Sequence, residues 1–215
     1  MELKRTEVFE ENAQRYDDWY DKRRPVYESE LRAIRMQLQK LPTNISGIEV
    51  GMGTGRFAEA LGIKEGIEPA DNLRQMAINR GIEGMEARAE LLPYSDLQFD
   101  FVLFVTICYL EDPVQAFKEA SRVLKNSGSI IVGIIDRDRP IGQDYVDRKS
   151  HSLFYKHARF YSVDRTRDML EEAGFRNFEF TQTLFGKLDE IQEPQDPEEG
   201  FGKGGFVVIK ATKKG

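Results

Sequence analysis

Residues Ile48-Glu49-Val50-Gly51-Met52-Gly53-Thr54-Gly55 carry the strongest chemical signal in this chain. An acid and an aliphatic lead into glycines on alternate positions, and a helical pattern follows. Glycines at this spacing let a strand turn sharply and let backbone N–H groups approach a ligand closely. The helix that follows adds the positive end of its dipole. A dinucleotide fingerprint, G-x-G-x-x-G, would place its third glycine at position 56. Arg56 stands there instead, and the glycine comes one residue early. Glu49 lies two residues before the first glycine, where a carboxylate would repel a pyrophosphate. It suits a ligand carrying an ammonium or a sulfonium group.

Other residues add to this picture. Glu68 closes the second apparent strand, where a carboxylate can accept hydrogen bonds from both ribose hydroxyls. That acid is shared with nicotinamide-binding folds, so it points to a nucleoside without choosing between ligands. Pro69 and Leu73 can line one face of an adenine ring, although Leu73 serves equally as core packing. Val105 and Thr106 end the fourth strand, at the edge that faces the ligand crevice in open α/β folds. Cys108 has no visible Cys/His arrangement around it and reads as a small packed side chain. Residues 148–167 interleave Arg148, Lys149, Lys156, Arg159, Arg165 and Arg167 with Phe154, Tyr155, Phe160, Tyr161, His151 and His157. This segment is expected to wall the acceptor side of the crevice. Tyr155 and Arg159 are its binding residues, and the acceptor is anionic or planar; a solvated helix face is the alternative. No His/Cys cluster has metal-ligand spacing, so no metal site is expected.

These residues need a scaffold, and the pattern supplies one. Strand and helix signals alternate, which predicts a mostly parallel sheet. Residues 7–20 predict one helix with an aromatic face. Pro25 starts a second, carrying Tyr27, Leu31, Ile34, Leu38 and Leu41. Strands are predicted at Gly47–Val50, Gly66–Glu68, Gly84–Ala87, Phe99–Thr106, Ser129–Ile135, Phe178–Leu184 and Phe206–Ala211. Asp71, Asp112 and Ser162 are placed to cap the intervening helices. Residues 136–161 are expected to be irregular, and Glu193–Gly205 a loop. The whole is one domain over 1–215, with an N-terminal helical cap over 1–42 and a substrate-side segment over 136–161.

Composition narrows the setting. With 215 residues, the chain can bury the core of one α/β domain. A formal charge of −6 argues against broad phosphate contacts, and so disfavours nucleic acid as a partner. The single cysteine excludes a disulfide framework and fits a reducing, cytoplasmic compartment. No signal region is visible at the start, and Phe101–Leu110 is too short to span a bilayer, so no membrane association is expected.

Three segments carry a family resemblance: E-V-G-M-G-T-G at 49–55, A-R-A-E-L-L-P at 87–93, and F-x-x-x-A-x-x-Y-D-x-W at 9–19. Together they resemble the class I S-adenosylmethionine (SAM)-dependent methyltransferases of the small-molecule type 11 group, the ubiquinone/menaquinone-biosynthesis-like enzymes. The resemblance implies a Rossmann-like seven-stranded sheet, helices on both faces and an antiparallel last strand. It implies SAM as cofactor and S-adenosylhomocysteine as product, bound by Glu49, Gly51, Gly53, Gly55, Glu68, Pro69 and Leu73. It places backbone carbonyls near Val105–Thr106 against the methionine amino group. Tyr16 of the N-terminal helix can face the sulfonium through its ring. Where the family has an acid for the adenine amino group, this chain has Arg88; Ala89 backbone groups or the Glu90 side chain substitute. A general base is needed only if the acceptor must lose a proton, and His157 and His151 are the candidates. The expected activity is in-line methyl transfer to a small intracellular metabolite. RNA or protein methylation, non-catalytic SAM binding and NAD-linked oxidoreduction are the alternatives.

Overall fold

The computed structural model describes residues 3–214. Residues 1 and 2 of the cap expected over 1–42, and residue 215, lie outside the described residues. Eight strands form one sheet in the order β3-β2-β1-β4-β5-β8-β6-β7. The central strands are β1 (Gly47–Val50), β2 (Glu65–Ile67), β3 (Glu83–Met85), β4 (Phe99–Val105) and β5 (Leu124–Ile135). All of these pair in parallel. Strand β8 (Phe206–Lys213) inserts antiparallel between β5 and β6 (Phe175–Thr183). The expected count of seven is exceeded by one short edge strand. Glu198–Glu199 (β7), inside the expected loop, pairs with Thr181 and Gln182.

The central strands are apolar on both faces, as parallel strands covered by helices must be. Along β4, Val102 and Phe104 join one core cluster, while Phe101 and Leu103 join another on the opposite face. The first face is covered by α6 (Pro113–Val123) and α8 (Val163–Glu172). The second is covered by α3 (Arg24–Leu38), α4 (Arg56–Leu61) and α5 (Asp71–Asn79). Asp112 and Ser162 cap α6 and α8 through their side chains, accepting from Gln115 N and Arg165 N.

Four local expectations are corrected. The helix expected over 7–20 breaks at Asn12 into α1 (Leu3–Glu11) and α2 (Ala13–Lys22). The Asn12 side chain donates to the Val8 carbonyl at 2.9 Å, a local bond that competes with the helix ladder. Asp71 does not cap α5: it is the first helical residue and pairs with Arg74. Glu10 takes the capping role from a different helix, accepting from Asp71 N and, at 2.9 Å, from Asn72 N. The 136–161 segment contains a helix, α7 (Pro140–Arg148), started by proline and closed by an Arg148–Asp144 ion pair at 2.7 Å. Strand β5, expected over Ser129–Ile135, begins earlier, at Leu124.

Candidate functional site

The turn after β1 is built on three left-handed glycines, at φ +72° for Gly51, +55° for Gly53 and +80° for Gly55. Each conformation is accessible to glycine and strained for other residues. Gly51 N and Met52 N both donate to the Ile67 carbonyl, at 2.9 and 3.0 Å, which ties the turn to β2. A side chain at Gly51 would meet nothing within 4 Å, so this backbone is bare toward the cleft. Glu68, just past β2, accepts from Gly53 N and Ala70 N, both at 3.0 Å. Each of its oxygens keeps a further lone pair for a ligand. Burial pushes the Glu68 carboxyl up to about 7, although the two N–H groups and Arg74 pull against that.

A first chamber of about 460 Å³ opens over this turn, within the range of small-molecule sites. Gly51 and Gly53 form its base, and Glu68, Pro69, Leu73, Ala89 and Glu90 line one part. Tyr16, Val105 and Thr106 line another. Phe9, Tyr109 and Leu110 add apolar walls. Arg88 also lines the chamber, with its charge taken up by Glu111 at 2.8 Å and Glu90 at 3.7 Å. Glu90 is partly committed elsewhere, since one oxygen accepts from Glu111 N and Asp112 N at 2.9 and 3.2 Å.

A second, smaller chamber of about 70 Å³ adjoins the first. Tyr16, Gly51, Val105, Thr106 and Tyr109 line both. Thr106 stands at φ +61°, a conformation that is rare for a β-branched residue and that concentrates at functional sites. Aromatic side chains dominate the second chamber: Trp19 and Tyr20 from α2, Tyr145 from α7, then Phe154 and Tyr155. Glu30 and Glu49 are its carboxyl groups. Burial pushes both up to about 8. Glu49 is 1 % exposed and its Oε2 has no hydrogen-bond partner.

The N-terminal helices roof both chambers. The Phe9 ring meets Tyr16 and Tyr109 edge-on and stacks on Phe154, with centroids 5.3, 5.0 and 5.6 Å apart. Asp17 fastens α2 to the glycine turn. It accepts from Thr54 Oγ1 at 2.6 Å, from Arg56 at 2.8 and 2.7 Å, and from Arg80 at 3.0 and 2.9 Å.

Several sequence-selected residues lie elsewhere. Gly55 lines neither chamber; it starts α4 against α5, where a Cβ would come within 2.8 Å of the Ala77 Cβ. Its glycine serves helix packing. Glu49 borders the second chamber and does not line the first. Tyr155 lines the second chamber, but Arg159 does not. Arg159 is exposed beside a separate small pocket, its backbone N–H held by the Cys108 carbonyl at 2.8 Å. His151 and His157 are exposed and line no chamber; His151 bonds its neighbour Ser150. Neither is placed to act as a base there. Cys108 is buried and its thiol is pushed up to about 12 by burial.

Sequence reasoning passed over Asp17, Tyr20, Glu30 and Tyr145. Glu30 had a readable signal. It stands four residues from both Val26 and Ile34, on the buried stripe of α3. Asp17 also had one, as the acid of the Y-D-x-W segment at 16–19. Tyr145 had none, because its place is set by packing.

Comparison with known proteins agrees with this geometry. The family described as methyltransferase domain, type 11, matches residues 48–132. A SAM-dependent methyltransferase from Thermotoga maritima, described as a possible histamine N-methyltransferase, superposes with a TM-score of 0.92 and 44% identity. The match covers 97% of this chain and 99% of that one. An uncharacterised protein of Methanocaldococcus jannaschii is 42% identical over 96% of this chain and 98% of its own length. A demethylmenaquinone methyltransferase of Lactobacillus johnsonii is 28% identical over 53% of this chain and 54% of its own length. With a shared fold, a ligand-sized chamber over the glycine turn and these relatives, the chain belongs to the class I SAM-dependent methyltransferases of type 11.

Proposed function

We propose that this enzyme transfers the methyl group of SAM to a small intracellular metabolite, and that the two chambers divide the work. The carrying observation is their shared wall. Donor and acceptor held on either side of Thr106 and Tyr16 would meet there, which suits in-line transfer. SAM supplies an activated methyl group, so the protein's part is chiefly alignment and exclusion of water. Glu68 is assigned to the ribose hydroxyls, Gly51 and Gly53 to backbone contacts, and Pro69, Leu73 and Ala89 to the adenine. Glu49, with its unpartnered buried oxygen, is assigned to the positively charged methionine end, which would reach past the shared wall at Gly51 to the edge of the second chamber. S-adenosylhomocysteine is the product. The single buried cysteine fits a cytoplasmic setting, and among the described residues no helix is long and apolar enough to cross a membrane.

The size of the second chamber argues for a small acceptor over an RNA or protein segment. Incubation with methyl-labelled SAM and a cell extract tests this. Label should appear in a small molecule separable from SAM. Label confined to acid-precipitable RNA or protein would overturn the reading.

A further inference from the structure

The second chamber has a charge character that narrows the acceptor further. Glu30 projects into it from α3, is 7 % exposed, and has no hydrogen-bond or ion-pair partner among the described residues. An unpartnered carboxyl in such a place is destabilising unless a ligand uses it. Around it stand Tyr20, Tyr145 and Tyr155, with Trp19 alongside. Aromatic faces attract cations. The remaining titratable groups facing the chamber are Glu49, Tyr16 and Tyr109; no Lys, Arg or His side chain lines it. With Glu49 assigned to the methionine end of SAM, an anionic acceptor would face Glu30 and no basic side chain.

We propose, resting on the methyltransferase reading, that the acceptor is a small organic amine that enters the second chamber as an ammonium ion and is recognised by Glu30. This replaces the anionic acceptor expected from the basic residues at 148–167, because Arg159 lies outside the chamber. A volume of about 70 Å³ is roughly five water-sized sites, enough for a compact amine. In the ionised state Glu30 accepts one proton from the ammonium group. The neutral nitrogen then attacks the methyl carbon with its lone pair. The N–C bond forms as the C–S bond breaks, and the C–S electron pair stays on sulfur, leaving S-adenosylhomocysteine. The product departs as a methylated ammonium ion, and the proton on Glu30 returns to solvent.

The test uses the full chain with three probes of similar size and different charge: 2-phenylethylamine, 3-phenylpropionate and 4-methylphenol, plus histamine as a second amine. Binding is measured calorimetrically with S-adenosylhomocysteine present, and turnover with SAM. Both amines should bind and at least one should be methylated. Glu30→Gln should weaken amine binding about 10- to 100-fold, as for loss of a charged hydrogen bond, and Glu30→Asp should restore part of it. Affinity for S-adenosylhomocysteine should stay within about threefold of the parent, which also reports that the variant is folded. Preference for the carboxylate or the phenol, no binding of either amine to the S-adenosylhomocysteine complex, or unchanged amine affinity in Glu30→Gln would overturn the inference and leave the cofactor assignment standing. Failure of the parent protein to bind S-adenosylhomocysteine would instead overturn the methyltransferase reading, and this inference with it.

Discussion

Arg56 grips Asp17 with two hydrogen bonds, Nε to Oδ1 at 2.8 Å and Nη2 to Oδ2 at 2.7 Å. The pair joins the residue directly after the glycine turn to the helix that roofs both chambers. Arg56 occupies the position where a dinucleotide fold would carry its third glycine. The departure from that fingerprint is thus a positive feature: the side chain it introduces fastens the cap. Arg80 and Thr54 complete the grip on the same carboxylate.

Asp17→Ala should therefore destabilise the fold by about 3–5 kcal/mol, as breaking a buried ion pair does. It should weaken SAM binding too, because Tyr16 and Tyr20 lose their anchorage. Urea unfolding with and without the cofactor measures both. The acid limb of stability should change as well. Burial alone would raise the Asp17 carboxyl, but the bonds from Arg56 and Thr54 and the charge of Arg80 hold it down at about 2. In the unfolded chain it titrates near 3.9. Its contribution is present above about pH 4 and lost as pH falls toward 2. Asp17→Asn should remove that dependence; an unchanged acid limb would show that Asp17 is not the group responsible.

Burial has the opposite consequence for the chamber carboxyls. Glu30 and Glu49 are pushed up to about 8 and Glu68 to about 7, against about 4.3 in an unfolded chain. Between these values the folded protein holds more protons than the unfolded one. Stability of the cofactor-free protein should fall as pH rises from about 4 to 8, then level off. Glu30→Gln should flatten the curve and raise the melting temperature at pH 9. Parallel curves for parent and variant would contradict the burial assigned to Glu30.

The glycines separate packing from binding. Gly55→Ala forces a side chain onto Ala77 at a left-handed φ. It should reduce stability by about 2–3 kcal/mol while the folded fraction keeps its SAM affinity. Gly51→Ala meets no such neighbour, so its stability loss should be about 1–2 kcal/mol, from strain alone. Its methyl group would enter the cleft, and SAM affinity should fall at least tenfold, the equivalent of about 1.4 kcal/mol. Thermal denaturation and calorimetry on the two variants test the contrast. Equal effects on affinity would place Gly55 back in the site.

The glycine turn and the acid after β2 were legible because they depend on local geometry. A strand, a glycine turn and a helix lie within 48–61, and Glu68 follows the next strand; each is a short-range pattern with one backbone solution. The cap was half legible. Its aromatic face could be seen, but not the break at Asn12, which depends on one side chain reaching back to Val8. The second chamber was less legible. The basic residues of 148–167 are prominent in sequence, yet Arg159 does not line the second chamber. The two acids that line it, Glu30 and Glu49, come from the consecutive elements α3 and β1. Their convergence with Tyr145 and Tyr155 is set by tertiary packing, which no local pattern encodes.

The most direct test of the central claim is calorimetric titration of the purified protein with SAM, S-adenosylhomocysteine and NADH, repeated on Glu68→Ala. Both SAM-type ligands should bind with micromolar affinity, NADH should not bind, and binding should be lost in the variant. Tight NADH binding, or full SAM affinity without the Glu68 carboxylate, would contradict that claim.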